Sequence, residues 1–157
     1  AAPEVAVWKE RLDEVPVEVV VFDFDDVCTP SHREFVSSTV DAIRPGLVDV
    51  VGELRERGCT VVLLSNEFDR AWLSSIDGMP TFDHVFVGSD NGISKPDRRA
   101  FQRVLLVAGC APNACLVVDD DEINLSSARS IGCRVVLFDP ADVEASWHSV
   151  LTACARA

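Results

Sequence analysis

This sequence predicts a doubly wound, Rossmann-like α/β fold: a parallel sheet of about five strands flanked by helices. Three observations carry that expectation. Short apolar runs, Val19–Phe22, Val61–Leu64 and Leu116–Val118, each stop abruptly at a carboxylate or a hydroxyl. Strands buried on both faces of a parallel sheet read as such runs. Helical patterns lie between them, which is the βαβ alternation of a parallel sheet. The chain has 157 residues, 48% hydrophobic and 25% charged, enough apolar material for one globular domain spanning 1–157. Residues 1–15 read as an N-terminal extension with no clear pattern.

Residues 17–22 form the first expected strand. Ser31-His32-Arg33-Glu34 has the form of a capping box, and Val36, Val40 and Ile43 follow at helical spacing. Pro45-Gly46 restarts the chain. Leu47, Val50, Val51 and Leu54 then mark the face of a second helix, which Gly58 ends. Residues 59–64 read as a strand, 67–76 as a helix through Phe68, Ala71 and Trp72, and 84–87 as a short strand. A helix over 97–108 presents Phe101, Val104, Leu105 and Ala108 and stops at Gly109. Strand 115–118, helix 123–131 closed by Gly132, and strand 134–138 follow. Asp139-Pro140 reads as an N-cap and first-turn pair for a last helix with Val143, Trp147, Val150 and Leu151 on its face.

Composition narrows the function classes. A net charge of −12 argues against nucleic acid, whose backbone is bound by Lys and Arg clusters, and against anionic membranes. No apolar run approaches the ~20 residues of a membrane helix. No basic flank precedes a long apolar stretch at the start, so no signal peptide is expected, and the chain begins without Met, as a processed or trimmed chain does. The six cysteines, Cys28, Cys59, Cys110, Cys115, Cys133 and Cys154, include no C-x-x-C pair, and His is scarce, so a zinc site is not expected. Cys59, Cys115 and Cys133 sit at strand starts, where they read as small buried hydrophobes, and a reducing cytoplasm is the simplest setting.

Four polar tips carry candidate chemistry. Asp23 and Asp25 lie two apart after the first strand, so an extended backbone points both side chains the same way. Such a pair divides labour: one carboxylate attacks as nucleophile, the other acts as general acid and then base. Ser65 ends the second run, where its hydroxyl and the following N–H groups suit a phosphoryl oxygen, and Asn66 shares that position. Lys95, one of only two lysines, stands in a loop before Pro96, placed to neutralise phosphoryl charge. Asp119 and Asp120, joined by Asn124, follow a buried strand and suit Mg²⁺, a hard cation that prefers oxygen ligands. Taken singly, each also has an ordinary reading: an acidic turn, a helix cap, a surface Lys, acids at a helix N-terminus.

Jointly, Asp23-Phe24-Asp25-Asp26-Val27, Ser65, Gly92-Ile93-Ser94-Lys95-Pro96-Asp97 with Phe101, and Asp119-Asp120 with Asn124, Ala128 and Gly132 resemble the four motifs of the haloacid dehalogenase (HAD) superfamily in its phosphatase branch. The resemblance spans Val19 to Gly132. It implies a Mg²⁺-dependent phosphatase acting on a phosphate monoester. Asp23 would form an aspartyl-phosphate, and Asp25 would protonate the leaving group and then activate water. Ser65 and Lys95 would hold phosphoryl oxygens. Mg²⁺ would be held by the Asp23 carboxylate, the Asp25 backbone carbonyl, Asp119 and Asp120. The haloacid-cleaving branch lacks a carboxylate at the position of Asp25, which favours phosphate substrates.

Two departures from the family pattern stand out. Asp26 replaces a frequent Gly. Residues 28–44 and 66–94 leave no room for a substantial cap domain, so an open site is expected, suited to a large or partner-presented phosphorylated substrate and compatible with a homodimer. The competing readings are a phosphotransferase or mutase of the same superfamily, a receiver-like phospho-acceptor, and a non-catalytic interaction module. Of the residues flanking the expected mouth, His32, Arg33, Arg70, Arg98 and Arg99 carry the charge to meet an anion, or are ordinary solvated surface groups.

Overall fold

The computed structural model describes residues 15–30, 43–67 and 69–155. Five parallel strands form one sheet: β1 (Val19–Phe22), β2 (Thr60–Ser65), β3 (His84–Val87), β4 (Cys115–Asp119) and β5 (Arg134–Leu137), in the order β3-β2-β1-β4-β5. The helices are α1 (Leu47–Glu56), α2 (Arg70–Ser75), α3 (Arg98–Ala108), α4 (Glu122–Ser130) and α5 (Val143–Ala153). The expected fold class is therefore observed. The receiver-like alternative is not, because that fold orders its strands 2-1-3-4-5.

Side chains of successive strand residues point to opposite faces, so each buried run feeds two cores. Val20 and Phe22 of β1, Val61 and Leu63 of β2, and Leu116 and Val118 of β4 pack with Leu47 and Leu54 of α1 and Trp147 of α5. Val19, Val21, Val62, Leu64 and Val117 pack on the other face with Phe101 and Val104 of α3 and Leu125 of α4. This two-sided burial is why β1 reads as an uninterrupted Val-Val-Val-Phe rather than an alternation.

Several boundaries differ from expectation for local reasons. Asp139-Pro140 does not open the last helix. The Asp139 carboxylate instead accepts from the Ala141 N–H at 2.9 Å, closing a turn, and Asp142 caps α5 by accepting from Ala145 N–H at 3.3 Å. The helix expected from 67 begins only at Arg70, because Asp69 accepts from the Trp72 N–H at 2.7 Å and so takes the cap position. β2 and β4 run one residue further than read, so Ser65 and Asp119 are strand residues. β1 and β5 are correspondingly shorter than the readings 17–22 and 134–138. The capping box at Ser31, the helical positions Val36 and Val40, and Phe68 lie outside the described residues, whereas Ile43 is described and is not helical.

The register brings the site together. Phe22 of β1 aligns with Leu63 of β2 and Val118 of β4, so Asp23 and Asp119, one residue further on, and Ser65, two residues further on, crowd one carboxyl edge. This is the switch point of the sheet: the chain leaves β1 toward β2 on one side and returns to β4 on the other, which opens a crevice for a ligand. β3 contributes through Gly88, whose Cα faces the Asn66 carbonyl so closely that a Cβ would sit 2.8 Å from its oxygen. Gly88→Ala should therefore push Asn66 away from the sheet edge at a cost of about 1–3 kcal/mol, the usual range for overpacking. Urea denaturation measures this, and an unchanged midpoint would show that the contact is not tight.

Candidate active site

Lys95 is the centre of the site. Its side chain is 2% exposed, and its Nζ lies 2.7 Å from Asp23 Oδ1 and 3.0 Å from Asp119 Oδ2. Burial alone works against the ammonium, but the two carboxylates outweigh it and raise its pKa above the ordinary Lys value. Both oxygens of Asp119 have further partners. Its Oδ2 also accepts from Asn124 Nδ2 at 3.1 Å, and its Oδ1 from the Asp121 N–H at 2.9 Å.

Lys95 comes from the loop between β3 and α3 and is held there by Asn66. The Asn66 amide donates to the Lys95 carbonyl at 2.8 Å and accepts from the Lys95 N–H at 2.7 Å. The sequence suggests Asn66 as a phosphate contact beside Ser65. The structure gives its side chain another duty, because both ends of the amide are committed to the Lys95 backbone. Ser65 Oγ donates to the Glu67 carbonyl at 2.7 Å, which leaves the hydroxyl oxygen able to accept. It is not a helix cap.

The backbone alternates through Asp23, Phe24 and Asp25. Phe24 is buried, with its ring 6.0 Å from that of Trp72, while both carboxylate residues are half-buried and line the cleft. The cleft has a volume of about 210 Å³, and its lining gathers every predicted site residue: Asp23, Asp25, Ser65, Asn66, Lys95, Asp119 and Asp120. Glu67 and Asp121 also line it; Glu67 carries no mark in the sequence that sets it apart from other surface acids, and Asp121 reads as an acid at a helix N-terminus, where it caps α4 by accepting from the Ile123 N–H at 2.8 Å. Asp26 has a left-handed backbone, φ 64°, a conformation in which Gly carries no steric cost and which Asp tolerates better than most residues; this accounts for the frequent Gly at that position. Arg70 and Arg99 are spent elsewhere, on Asp90 at 2.7 Å and Asp97 at 2.7 Å. His32 and Arg33 lie outside the described residues.

Asp23, Asp119 and Asp120 each place a carboxylate oxygen within 4.8 Å of the other two. Burial, partly offset by Lys95 and increased by Asp119, raises the Asp23 pKa to about 6. Burial and then the repulsion of Asp23 and Asp119 raise that of Asp120 to about 8. An all-oxygen donor set under such mutual repulsion fits a hard divalent cation.

The chain as a whole has relatives. Residues 33–132 match the family model of the haloacid dehalogenase-like hydrolases. The chain belongs to that family. The matched stretch contains Ser65, Lys95, Asp119 and Asp120, while Asp23 and Asp25 precede it. The chain is 35% identical over 104 residues to a phosphoserine phosphatase of Thermus thermophilus, covering 61% of this chain and 42% of that protein. It is 24% identical over 135 residues to protein CbbY of Rhodobacter capsulatus, covering 82% and 60%. The chain thus spans roughly half the length of these relatives. A HAD family enzyme of Bacteroides thetaiotaomicron, crystallised with magnesium and inorganic phosphate, superposes with a TM-score of 0.59 at 18% identity over 79% of this chain and 95% of that one. The described residues of this HAD-like hydrolase hold no large cap, and none of their helices is long and apolar enough to cross a membrane.

Two predictions follow from the charge arrangement. Asp23 and Asp120 keep protons in the folded state at pH values where an unfolded carboxyl, with a pKa near 3.8, has lost them. Their contribution to the stability of the metal-free protein is therefore complete below about pH 4 and is lost as pH rises through about 6 and about 8. Thermal melts in a chelator at stepped pH read this out, and a melting temperature that rises from pH 5 to pH 8 would contradict it. Removing the cation between two buried carboxylates is the harsher change. Lys95→Met should cost about 3–5 kcal/mol in chemical denaturation, as breaking other buried ion pairs does, and a cost under about 1 kcal/mol, the scale of an exposed pair, would show that the ammonium is not buried in solution.

Proposed function

We propose that this HAD-like hydrolase is a Mg²⁺-dependent phosphatase that cleaves a phosphate monoester through an aspartyl-phosphate. The observation that carries the reading is the convergence of Asp23, Lys95, Asp119 and Asp120 on one cleft. A carboxylate nucleophile needs a cationic surrounding to approach a phosphoryl dianion, and Lys95 supplies one charge at 2.7 Å. Asp23, Asp119 and Asp120 would hold Mg²⁺, with the Asp25 carbonyl as a fourth oxygen. Bound there, the ion would neutralise phosphoryl charge and relieve the repulsion among the three acids.

The steps assigned to the protein's own groups balance simply. An Asp23 oxygen attacks phosphorus, and the bond from phosphorus to the ester oxygen breaks. Asp25 gives its proton to that departing oxygen. Lys95 and Ser65 hold the equatorial oxygens, Lys95 by charge and Ser65 by its hydroxyl. Asp25, now ionised, takes a proton from water as that water attacks phosphorus. The bond between Asp23 and phosphorus then breaks, releasing inorganic phosphate and restoring both carboxyls.

The phosphatases among the relatives support phosphate as the group transferred. Asp25 supports it over a carbon–halogen substrate, since a leaving halide needs no proton. A phosphotransferase or mutase is less well supported, because those reactions require water to be excluded and the described residues leave the cleft open. The same openness favours a large or partner-presented phosphorylated substrate, or a homodimer that covers the mouth. The acidic balance and the reduced cysteines fit a cytoplasmic setting without nucleic-acid or membrane partners.

Hydrolysis of a nitrophenyl phosphate tests the reading. Activity should require Mg²⁺, vanish in EDTA and return on adding the ion. Asp23→Asn should abolish it, and Asp25→Asn should lower kcat by roughly 10²–10⁴-fold, the usual worth of a general base, because hydrolysis of the aspartyl-phosphate loses the group that activates water. Full activity in Asp23→Asn would overturn the nucleophile assignment. A binding-only module would hold Mg²⁺ without any turnover.

A further inference from the structure

Arg44 is a buried cation that the chemistry above does not use. It stands outside the cleft, yet its guanidinium grips the turn that presents Asp25. Nη2 donates to the Asp26 carbonyl at 2.9 Å and the Thr29 carbonyl at 3.3 Å, and Nε donates to the Val27 carbonyl at 3.1 Å. Its own N–H donates to the Cys28 carbonyl at 2.7 Å. Four carbonyls of one short turn are thus held by a single residue. The guanidinium lies over the Phe138 ring, 5.3 Å from its centre, at the end of β5. The next two residues are fixed as well. Trp147 Nε1 donates to the Pro45 carbonyl at 3.1 Å, and Gly46, at φ 89°, lets the backbone approach the Trp147 indole where a Cβ would be 3.0 Å away. Arg44 therefore ties the turn to α5 and β5, elements that belong to the rigid core.

The turn needs such a tie. Asp25 and Thr29 form a backbone bridge, the Cys28 and Thr29 N–H groups both donate to the Phe24 carbonyl, and Asp26 holds the left-handed conformation between them. The Val27 and Thr29 carbonyls that Arg44 meets are held in buried hydrogen bonds, and the Asp26 carbonyl in a partly buried one. A planar guanidinium matches several carbonyls at once in a way that a point-like ammonium does not. Small displacements of an acid group cost large factors in rate.

On this basis we propose that Arg44 is a positioning residue that fixes the reach of Asp25 toward the leaving oxygen. The proposal rests on the phosphatase reading above. It predicts a selective defect. When the leaving group is a poor one, such as an alkoxide, its departure depends on the Asp25 proton. When it is a nitrophenolate, bond breaking needs little proton transfer, and kcat/KM, which ends at the first irreversible step, is nearly blind to Asp25. A residue that merely stabilises the fold would lower both alike.

The experiment compares kcat/KM of the full chain for an alkyl phosphate and a nitrophenyl phosphate in the wild type, Arg44→Lys, Asp25→Asn and the double variant. Arg44→Gln strips buried and partly buried carbonyls of their donor and is prone to unfold, so Arg44→Lys, which keeps the charge and the stem, is the test variant. Arg44→Lys should lose ~10–30-fold on the alkyl ester and under ~3-fold on the nitrophenyl ester, a fraction of the full general-acid contribution. The double variant should be no slower than Asp25→Asn on the alkyl ester, because the second change acts through a group already removed. Equal losses on both esters, or losses that multiply in the double variant, would overturn the proposal. Amide hydrogen exchange supplies a readout that needs no turnover: the Cys28 and Thr29 amides should exchange faster in Arg44→Lys while β2 and β4 amides do not, and unchanged exchange at those two amides would also overturn it. A wild-type chain that hydrolyses neither ester would instead refute the phosphatase reading, with the exchange data still deciding whether Arg44 holds the turn.

Discussion

The ammonium of Lys95 lies between Asp23 and Asp119, out of contact with bulk water, and the geometry of the site follows from that placement. Two carboxylates at the ends of adjoining strands repel each other, and their burial removes the water that would screen them. A single cation between them makes the arrangement tolerable, yet three acids remain around one ammonium once Asp120 is counted. The deficit is what suits the cleft to a divalent ion. It also leaves the metal-free edge of the sheet electrostatically strained, a cost that the two packed cores beneath it must offset.

That placement is a product of topology as much as of side chains. Parallel strands deliver their carboxyl ends to one edge, and the order β3-β2-β1-β4-β5 puts the first strand in the middle with β2 and β4 on either side. Asp23, Ser65 and Asp119 therefore meet although tens of residues separate them in the chain. Lys95 cannot arrive by strand register, since it lies in a loop. It is delivered by the amide of Asn66, which imitates a strand partner by giving and accepting one hydrogen bond to the Lys95 backbone. Gly88 makes room for that segment, and Arg44 performs the corresponding service for the turn after β1.

Much of this was legible in the amino-acid order. Apolar runs that end at Asp23, Ser65 and Asp119 give away buried parallel strands, because burial on both faces demands unbroken Val and Leu. The helix faces of α1 and α3 follow from their spacing. The caps were less legible: Asp139 and Asp142 both precede the last helix, and only backbone geometry decides that the first closes a turn while the second starts the helix. Asn66 and Arg44 were beyond reading for a different reason. Their roles are hydrogen bonds to backbone carbonyls and amides distant in sequence, and nothing in the residues beside them marks those partners. Asp26 is intermediate: its departure from Gly was visible, but the positive φ that explains the preference for Gly was not.

The chemistry of the cleft turns on whether Asp23 receives the phosphoryl group beside Lys95. A crystal structure grown with Mg²⁺ and beryllium trifluoride, a phosphoryl mimic that bonds to a carboxylate, examines this directly. The account predicts beryllium on an Asp23 oxygen, fluorine atoms within reach of Lys95 Nζ and Ser65 Oγ, and the ion held by the oxygens of Asp23 and Asp120. A mimic bound elsewhere, or an Asp23 left bare in a cleft that has taken up the metal, would contradict it.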